Sequence, residues 1–84
     1  MTKLERLVQV QNNLNGYITR TCYGSAVRIP VKTGMIRWAH VYPLENGTLE
    51  VHFVELGVVK NMTIAVDCTA VTLLVDTMSK AFKW

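Results

Sequence analysis

The protein has 84 residues, of which 50% are hydrophobic and 18% are charged, with nine Lys and Arg against six Asp and Glu. A chain of this length supports one hydrophobic core, so we expect a single domain over residues 1–84 and exclude a two-domain enzyme. The hydrophobic content is too high for a disordered tail, and no apolar run reaches the roughly 20 residues of a membrane span. The net charge of +3 permits an anionic partner without requiring one.

The first residues lack the apolar core and the cleavage site of a secretory signal, which predicts a cytoplasmic protein. Cys22 and Cys68 are the two cysteines of the chain. In a reducing compartment, we expect buried, reduced thiols rather than a disulfide bond.

A helix is predicted over residues 3–15. Thr2 followed by Glu5 is a capping-box pattern, and Gly16 is a natural stop for a helix. The remaining polar side chains of the segment would face water. The predicted apolar stripe on the buried side consists of Leu4, Leu7, Val8 and Leu14.

From Tyr17 onward, aromatic and β-branched residues dominate and the apolar period falls to two, which predicts a sheet. Two alternating segments flank Thr33-Gly34 and predict a hairpin. Pro30 lies in the first segment and cannot donate to a strand ladder, so we expect this strand at a sheet edge. The alternating apolar positions are Val27, Ile29 and Val31, then Ile36, Trp38, His40 and Tyr42.

Asn46-Gly47 predicts a second hairpin, through a two-residue type I′ turn or a four-residue loop over residues 44–47. Another strand is predicted over residues 58–66, with Met62, Ile64 and Val66 on one side. The last predicted element is a helix at about residues 69–82, with Asp67 or Thr69 as its N-cap. Its apolar stripe comprises Val71, Leu74, Val75, Met78 and Phe82. The prediction is therefore an α+β domain: an N-terminal helix, an antiparallel sheet of four or five strands built from hairpins, and a C-terminal helix.

We expect Trp38, His40 and Tyr42 to face the core together with Leu49, Val51 and Phe53. His52 would then point to the opposite face as a solvated side chain, and the two histidines could not meet. The opposite face would expose apolar groups that need a cover. Those groups are Ala39, Val41, Pro43 and Val54.

The sequence offers no catalytic constellation. Two histidines on opposite faces are too few for a zinc site, which needs three or four convergent ligands. Cys68 lies near the predicted helix start but is better explained as a buried residue. No serine triad, carboxylate pair or phosphate-binding glycine loop is recognisable. We therefore expect neither an enzyme, nor a metal, nor a cofactor.

By elimination, the sequence favours a small protein-binding module that acts stoichiometrically, as an adaptor or inhibitor, of the kind that phages and mobile elements use to block a host protein. The partner would present an acidic surface. We predict homodimerisation through apolar residues of the second helix, unless the two helices cover opposite sheet faces within one monomer. The partner-binding residues are predicted to be Arg28, Lys32, Arg37 and Lys60, and the self-association residues are predicted to be Leu73, Ala81 and Trp84.

Nucleic-acid binding is the alternative function, because Arg28, Lys32 and Arg37 form a modest basic patch that Arg20 could extend. Base stacking needs aromatic rings on the same face. The expected inward orientation of Trp38 and Tyr42 leaves Tyr17, Tyr23 and Trp84 as the free rings. If Trp38 and Tyr42 lay on the same face as the arginines, the sequence would instead favour nucleic-acid binding, with bases stacked on these rings.

Overall fold

The computed structural model describes residues 2–33, 36–55 and 58–81, and the side chains of residues 32–33, 36–37 and 78–81 lie outside that description. The five strands form one antiparallel sheet in chain order, β1-β2-β3-β4-β5. The predicted α+β fold, with a helix before and a helix after the sheet, is confirmed. The elements are α1 (Lys3–Leu14), β1 (Tyr17–Thr21), β2 (Gly24–Thr33), β3 (Ile36–Pro43), β4 (Leu49–Glu55), β5 (Val58–Ala65) and α2 (Cys68–Ala81).

The ends of α1 show why the helix begins and stops where it does. The amide of Glu5 donates to the Thr2 hydroxyl oxygen at 3.1 Å, and the capping box is complete. Asn15 has φ of 55°, the left-handed conformation that ends the helix. Gly16 has a different role, since a Cβ there would lie 2.6 Å from the carbonyl oxygen of Arg28. The missing side chain allows the chain to pass directly against β2.

Both helices pack against the same face of the sheet, which we call the helix-covered face. Of the two alternatives that the sequence left open, the one in which the helices cover opposite sheet faces within a monomer is wrong. Within α1, Leu7 and Val10 enter the core, whereas Leu4 and Val8 of the predicted stripe are exposed. The core also contains Val27, Val31, Ala39, Val41, Leu49, Val51, Phe53, Ala65 and Val71.

A β-bulge decides which side chains of β3 face the helices. Thr33 opposes Ile36 beside the turn. An unbroken ladder from that pair would place Trp38 opposite Val31, on the helix-covered face. The register shifts between Thr33 and Pro30, and Trp38 opposes Pro30 instead. When the pairing register between two strands shifts by one residue, every side chain beyond the shift lies on the opposite face of the sheet.

The predicted orientation of β3 is therefore wrong. Ala39 and Val41 are fully buried beneath the helices and need no outside partner. Val54 points away from the helices, as expected, yet it is also buried. The residues that lie on the face away from the helices, contrary to the prediction, are Trp38, His40 and Tyr42.

Pro30 does not lie on an edge strand, because β2 pairs with β1 on one side and β3 on the other. The pairing with β1 ends where Tyr17 opposes Arg28. Beyond that pair, β2 has a free edge toward β1, and a missing amide proton costs no ladder bond there.

The loop between β3 and β4 is longer than a type I′ turn. The amide of Leu44 donates to the carbonyl of Thr48 at 2.9 Å, and the amide of Gly47 donates to the carbonyl of Leu44 at 3.1 Å. Gly47 has φ of 91°, whereas Asn46 keeps a negative φ. Of the two predicted turns, the longer loop is the closer to the structure.

Helix α2 begins after Asp67, whose carboxylate accepts from the amide of Ala70 at 2.8 Å. Val71 is buried, and Leu74 and Val75 pack against the core as predicted. The predicted contributions of Met78 and Phe82 lie outside the described side chains. No helix in the described part of the chain is long and apolar enough to cross a membrane.

Both cysteines are free thiols. Cys68, the first residue of α2, is half-buried. Cys22 lies in the turn between β1 and β2 and is exposed, so its predicted burial is wrong.

Candidate binding site on the open sheet face

The sheet face turned away from the helices, which we call the open face, bears a row of ring and cationic side chains. Trp38 lies beside this row, because it opposes Val54 on β4 and Pro30 on β2. The rings that were expected in the core therefore share a face with an arginine. In strand order, the directly opposed residues of the row are Tyr17, Arg28, His40, His52 and Met62.

Arg28 is fixed by three neighbours on the open face, and we call these four residues the Arg28 cluster. Its guanidinium carbon lies 5.1 Å from the ring centroid of Trp38 and 5.9 Å from that of Tyr17, within the cation–π range of about 6 Å. Its Nε donates a hydrogen bond of 3.1 Å to Nε2 of His40. Its terminal nitrogens have no hydrogen-bond partner in the part of the chain that the structure describes, so their donors are available to an anion.

His40 must be neutral to accept this hydrogen bond, because a protonated imidazole has no free lone pair. The contact with Arg28 thus assigns the ring proton to Nδ1. Burial is the largest cause that lowers the pKa of His40 from 6.5, and the charges of Arg28 and His52 lower it further. The acceptor that orients Arg28 is therefore present at neutral pH.

Tyr23, from the turn between β1 and β2, closes one end of the open face. Its ring packs edge-on against His52, with 5.3 Å between centroids, and against Tyr42, with 6.4 Å. The Tyr42 hydroxyl lies 2.7 Å from Oγ1 of Thr21, and burial raises the pKa of Tyr42. His52 is only 3% exposed, and its Nε2 lies 3.0 Å from Oε1 of Glu50. The prediction of a solvated His52 is wrong, because Tyr23 folds over this side chain.

The two histidines, expected on opposite faces, are direct cross-strand partners. His40 uses Nε2 to hold Arg28, and His52 uses Nε2 to contact Glu50. Nδ1 of His52 is buried without a partner among the described residues. Those residues hold no group of three or more His, Cys, Asp or Glu side chains placed to bind a metal. In this arrangement the histidines support neighbouring side chains.

A groove of about 330 Å³ runs along the Arg28 cluster, at the lower end of the usual range of small-ligand pockets, about 300–1,000 Å³. Arg20 and Tyr23 line it from the side of β1, and Val54 and Val59 line it from the side of β4 and β5. Trp38 and Arg28 lie between them. The groove thus offers the Arg28 guanidinium, ring edges and aliphatic surface to a ligand.

A larger cleft of about 560 Å³ lies between α1 and the start of α2, and several of its polar groups have structural roles. Arg6 donates to the carbonyl of Leu44, and Asp67 caps α2. Asn13 contacts the sulfur of Cys68 at 3.9 Å. We take the open-face groove as the candidate site, because it combines an arginine oriented by a histidine with the rings that pack against it.

The structure brings together only part of the predicted basic patch. Arg28 lies in the groove. Arg20 borders the groove from β1, but it opposes Ser25, and strand alternation directs its side chain to the helix-covered side. Lys60 is exposed on β5, at the opposite edge of the sheet from β1. The side chains of Lys32 and Arg37 lie outside the described part of the chain.

The predicted self-association residues belong to α2 and its C-terminal continuation. Leu73 is exposed, as that prediction requires. The side chain of Ala81 and all of Trp84 lie outside the described residues.

Sequence reasoning placed Trp38 and His40 in the core and so missed their contacts with Arg28. One signal could have revealed them. Pro30 cannot donate to the ladder, and a proline in an otherwise regular strand often marks a bulge. A bulge there reverses the face of every residue that follows on β3.

The candidate site is therefore an oriented arginine among aromatic rings, on the one sheet face that the helices leave uncovered. Comparison of the chain with family models, with curated proteins and with solved structures finds no match.

Proposed function

We propose that this protein is a non-enzymatic module that binds an acidic segment of another protein on the open face of its sheet. The observation that supports this most strongly is the orientation of Arg28, which Trp38, Tyr17 and His40 fix while its terminal donors have no partner among the described residues. A guanidinium binds a carboxylate through two parallel hydrogen bonds. Because the side chain is already ordered, a partner's Asp or Glu would dock without the entropy loss of a mobile arginine.

The composition of the open face supports a protein partner. Cores of protein interfaces are enriched in aromatic residues, Met and Arg, and depleted in Lys, Asp and Glu. Around Arg28, the open face presents the exposed side chains of Tyr17, Tyr23, Met62 and Ile64. Their apolar surface would be removed from water when a partner docks.

The charges of the open face favour an anionic group in the partner. Arg28 lines the groove with its terminal donors directed away from His40. Glu50, an acidic residue on the same face, is already in contact with His52 at 3.0 Å. A carboxylate from outside would therefore meet the Arg28 guanidinium with little competition from this neighbour.

A non-catalytic role is supported by the burial of the polar pair that most resembles an acid–base dyad. His52 contacts Glu50, but His52 is buried beneath Tyr23. A general base must come within hydrogen-bond reach of the substrate proton. The protein would then act by occupying its partner's surface, as an adaptor or inhibitor does.

Binding of single-stranded nucleic acid is the second candidate, and the position of Trp38 and Tyr17 on the arginine face favours it. Two observations weigh against it. Arg28 lies over both of these rings, and Tyr42 is only 8% exposed, so fewer ring faces are open to bases. Nucleic-acid affinity also depends mainly on neutralised phosphates, and the groove holds one oriented arginine, Arg28.

The proposal is tested by recovering a partner from native lysate on the immobilised 84-residue chain and then measuring its affinity in purified form. We expect Arg28→Ala to weaken binding about 30-fold or more, because loss of one member of a buried charge pair costs at least about 2 kcal/mol. Arg28→Lys should restore little, since lysine has no bidentate fork. Lys3→Ala, on the exposed side of α1, is the matched control and should bind normally.

The same preparations are titrated with single-stranded DNA and RNA at low and physiological salt. Tight binding with a steep salt dependence, lost in Trp38→Ala, would establish the nucleic-acid alternative. Equal affinity of the purified partner for Arg28→Ala and the unchanged protein would contradict the proposed site.

A further inference from the structure

The edge strand β5 presents an apolar surface and a backbone edge to which no strand is paired in the described part of the chain. Met62 is 60% exposed and Ile64 is 56% exposed, and both lie on the open face, opposite His52 and Glu50 respectively. Exposed apolar edge strands are templates for pairing with another strand, and folded proteins normally protect them with charges, prolines or bulges.

The protection of β5 is confined to its first half. The register with β4 shifts between the pairs Val54↔Val59 and Phe53↔Asn61, which leaves Lys60 within the bulge. From Asn61 to Ala65 the pairing is regular and the strand has no charge. Edge strand β1, by comparison, has five residues and includes the exposed Arg20.

We infer that β5 is a self-association surface, on which a second copy of this chain pairs its own β5 in antiparallel orientation about a two-fold axis at Thr63. The inference rests on the edge of β5 and does not depend on what the Arg28 cluster binds. In this register Met62 opposes Ile64 of the second copy, and Ile64 opposes the second copy's Met62. Direct cross-strand contacts between large apolar side chains are the main stabilising unit of a sheet.

The proposed register also avoids a like-charge contact between the two copies. Lys60 would oppose Val66 of the second copy, so the lysines of the two copies do not face each other. Val66 is itself exposed. Like charges directly opposite each other on neighbouring strands are destabilising, and this register avoids them.

A symmetric β5 pair also closes the assembly. Two-fold pairing uses the same strand from each copy and leaves no further β5 edge available, whereas pairing of β5 with β1 of another copy would continue without end. The axis is perpendicular to the sheet, so the two open faces would lie on the same side of a ten-stranded sheet. Each dimer would then present two Arg28 clusters in one direction.

Sedimentation velocity of the intact chain, at concentrations from about 1 μM to about 1 mM, tests the pairing, because one strand per copy buries less than a standard interface and should give a dimer of micromolar affinity. Ile64→Lys should raise the dimer Kd about 100-fold, since the substitution occurs twice per dimer and each lost contact corresponds to about tenfold. Leu73→Lys, at an equally exposed apolar position on α2, is the control and should leave the dimer intact.

The register is tested by cross-linking in a Cys22→Ser, Cys68→Ser background. Met62→Cys and Ile64→Cys chains should form a disulfide rapidly when mixed and slowly when each is alone, because the two positions oppose each other at a distance a disulfide can bridge. A monomer over the whole concentration range, or species that grow beyond the dimer, would overturn the inference. So would a dimer that Leu73→Lys dissociates and Ile64→Lys does not.

Discussion

The two faces of the sheet bury their side chains by different means. On the helix-covered face, aliphatic residues such as Val41 and Val51 lie beneath two helices and are fully buried. On the open face, His40, His52 and Tyr42 are nearly as buried without a helix above them, because each packs against a neighbouring ring or contacts a polar partner. One face therefore depends on exclusion of water, and the other depends on satisfied polar contacts.

This difference predicts unequal responses to substitution. A substitution that leaves a cavity among the aliphatic side chains should lower the free energy of unfolding strongly, because water does not fill an apolar cavity. Removal of a polar partner on the open face should lower it less, although the loss of a hydrogen bond can leave a polar group without a partner.

The largest effect is expected at Phe53, which is 1% exposed on the helix-covered face. Phe53→Ala should lower the free energy of unfolding by about 3–5 kcal/mol, because it leaves a cavity in the core. Urea denaturation followed by circular dichroism measures this change. Leu4→Ala is the control, since Leu4 is exposed on α1, and its effect should stay within about 0.5 kcal/mol. Similar losses in both variants would contradict the division between core and surface.

A smaller effect is expected at Thr21, whose hydroxyl lies 2.7 Å from that of Tyr42. Thr21→Val should cost about 1–2 kcal/mol, because it leaves the Tyr42 hydroxyl without this partner and also removes the contacts of the Thr21 hydroxyl with the carbonyl of Gly24 and the amide of Tyr23. Thr19→Val, two residues earlier on the same strand, should change stability by less than about 0.5 kcal/mol. Equal losses in the two variants would mean that the contact between Thr21 and Tyr42 does not stabilise the open face.

The smallest effect is expected from the titration of His40. Its pKa lies below 6.5 in the folded chain, so the unfolded chain takes up the proton first as the pH falls. The stability that neutral His40 provides is complete above pH 6.5 and decreases as the pH drops below this value, until the folded form is protonated as well.

Urea denaturation at several pH values between about 5 and 8 measures this slope. His40→Gln should reduce the loss of stability at acidic pH, because glutamine does not titrate. Arg28→Ala should raise the pKa of His40 only in part, since burial is the larger cause. An unchanged slope in His40→Gln would show that other groups determine the acid sensitivity.

The regular elements could be predicted because their signals are local. The Thr2 and Glu5 capping box, the alternation of Val27, Ile29 and Val31, and the turn around Gly47 all act over a few residues. Their physical causes, which are capping, side-chain alternation and backbone freedom, operate in any tertiary context.

The site could not be predicted in the same way, because β3 is apolar on both faces. One alternating set contains Ala39 and Val41, and the other contains Trp38 and Tyr42. Hydrophobicity alone favours burial of the larger rings. The helices instead pack on the small aliphatic set, and on the other face Trp38 contacts Arg28 while Tyr42 packs against His52.

Local periodicity and capping were enough to set the order of helices and strands and the faces of β2, since neither requires a distant partner. The orientation of Trp38 depended on long-range packing, because a one-residue bulge beside Pro30 reverses the face of β3 without altering its alternation. The Arg28 cluster depends on that reversal. The side chains of a strand alternate between its two faces with a period of two residues, so a register shift of a single residue exchanges the faces.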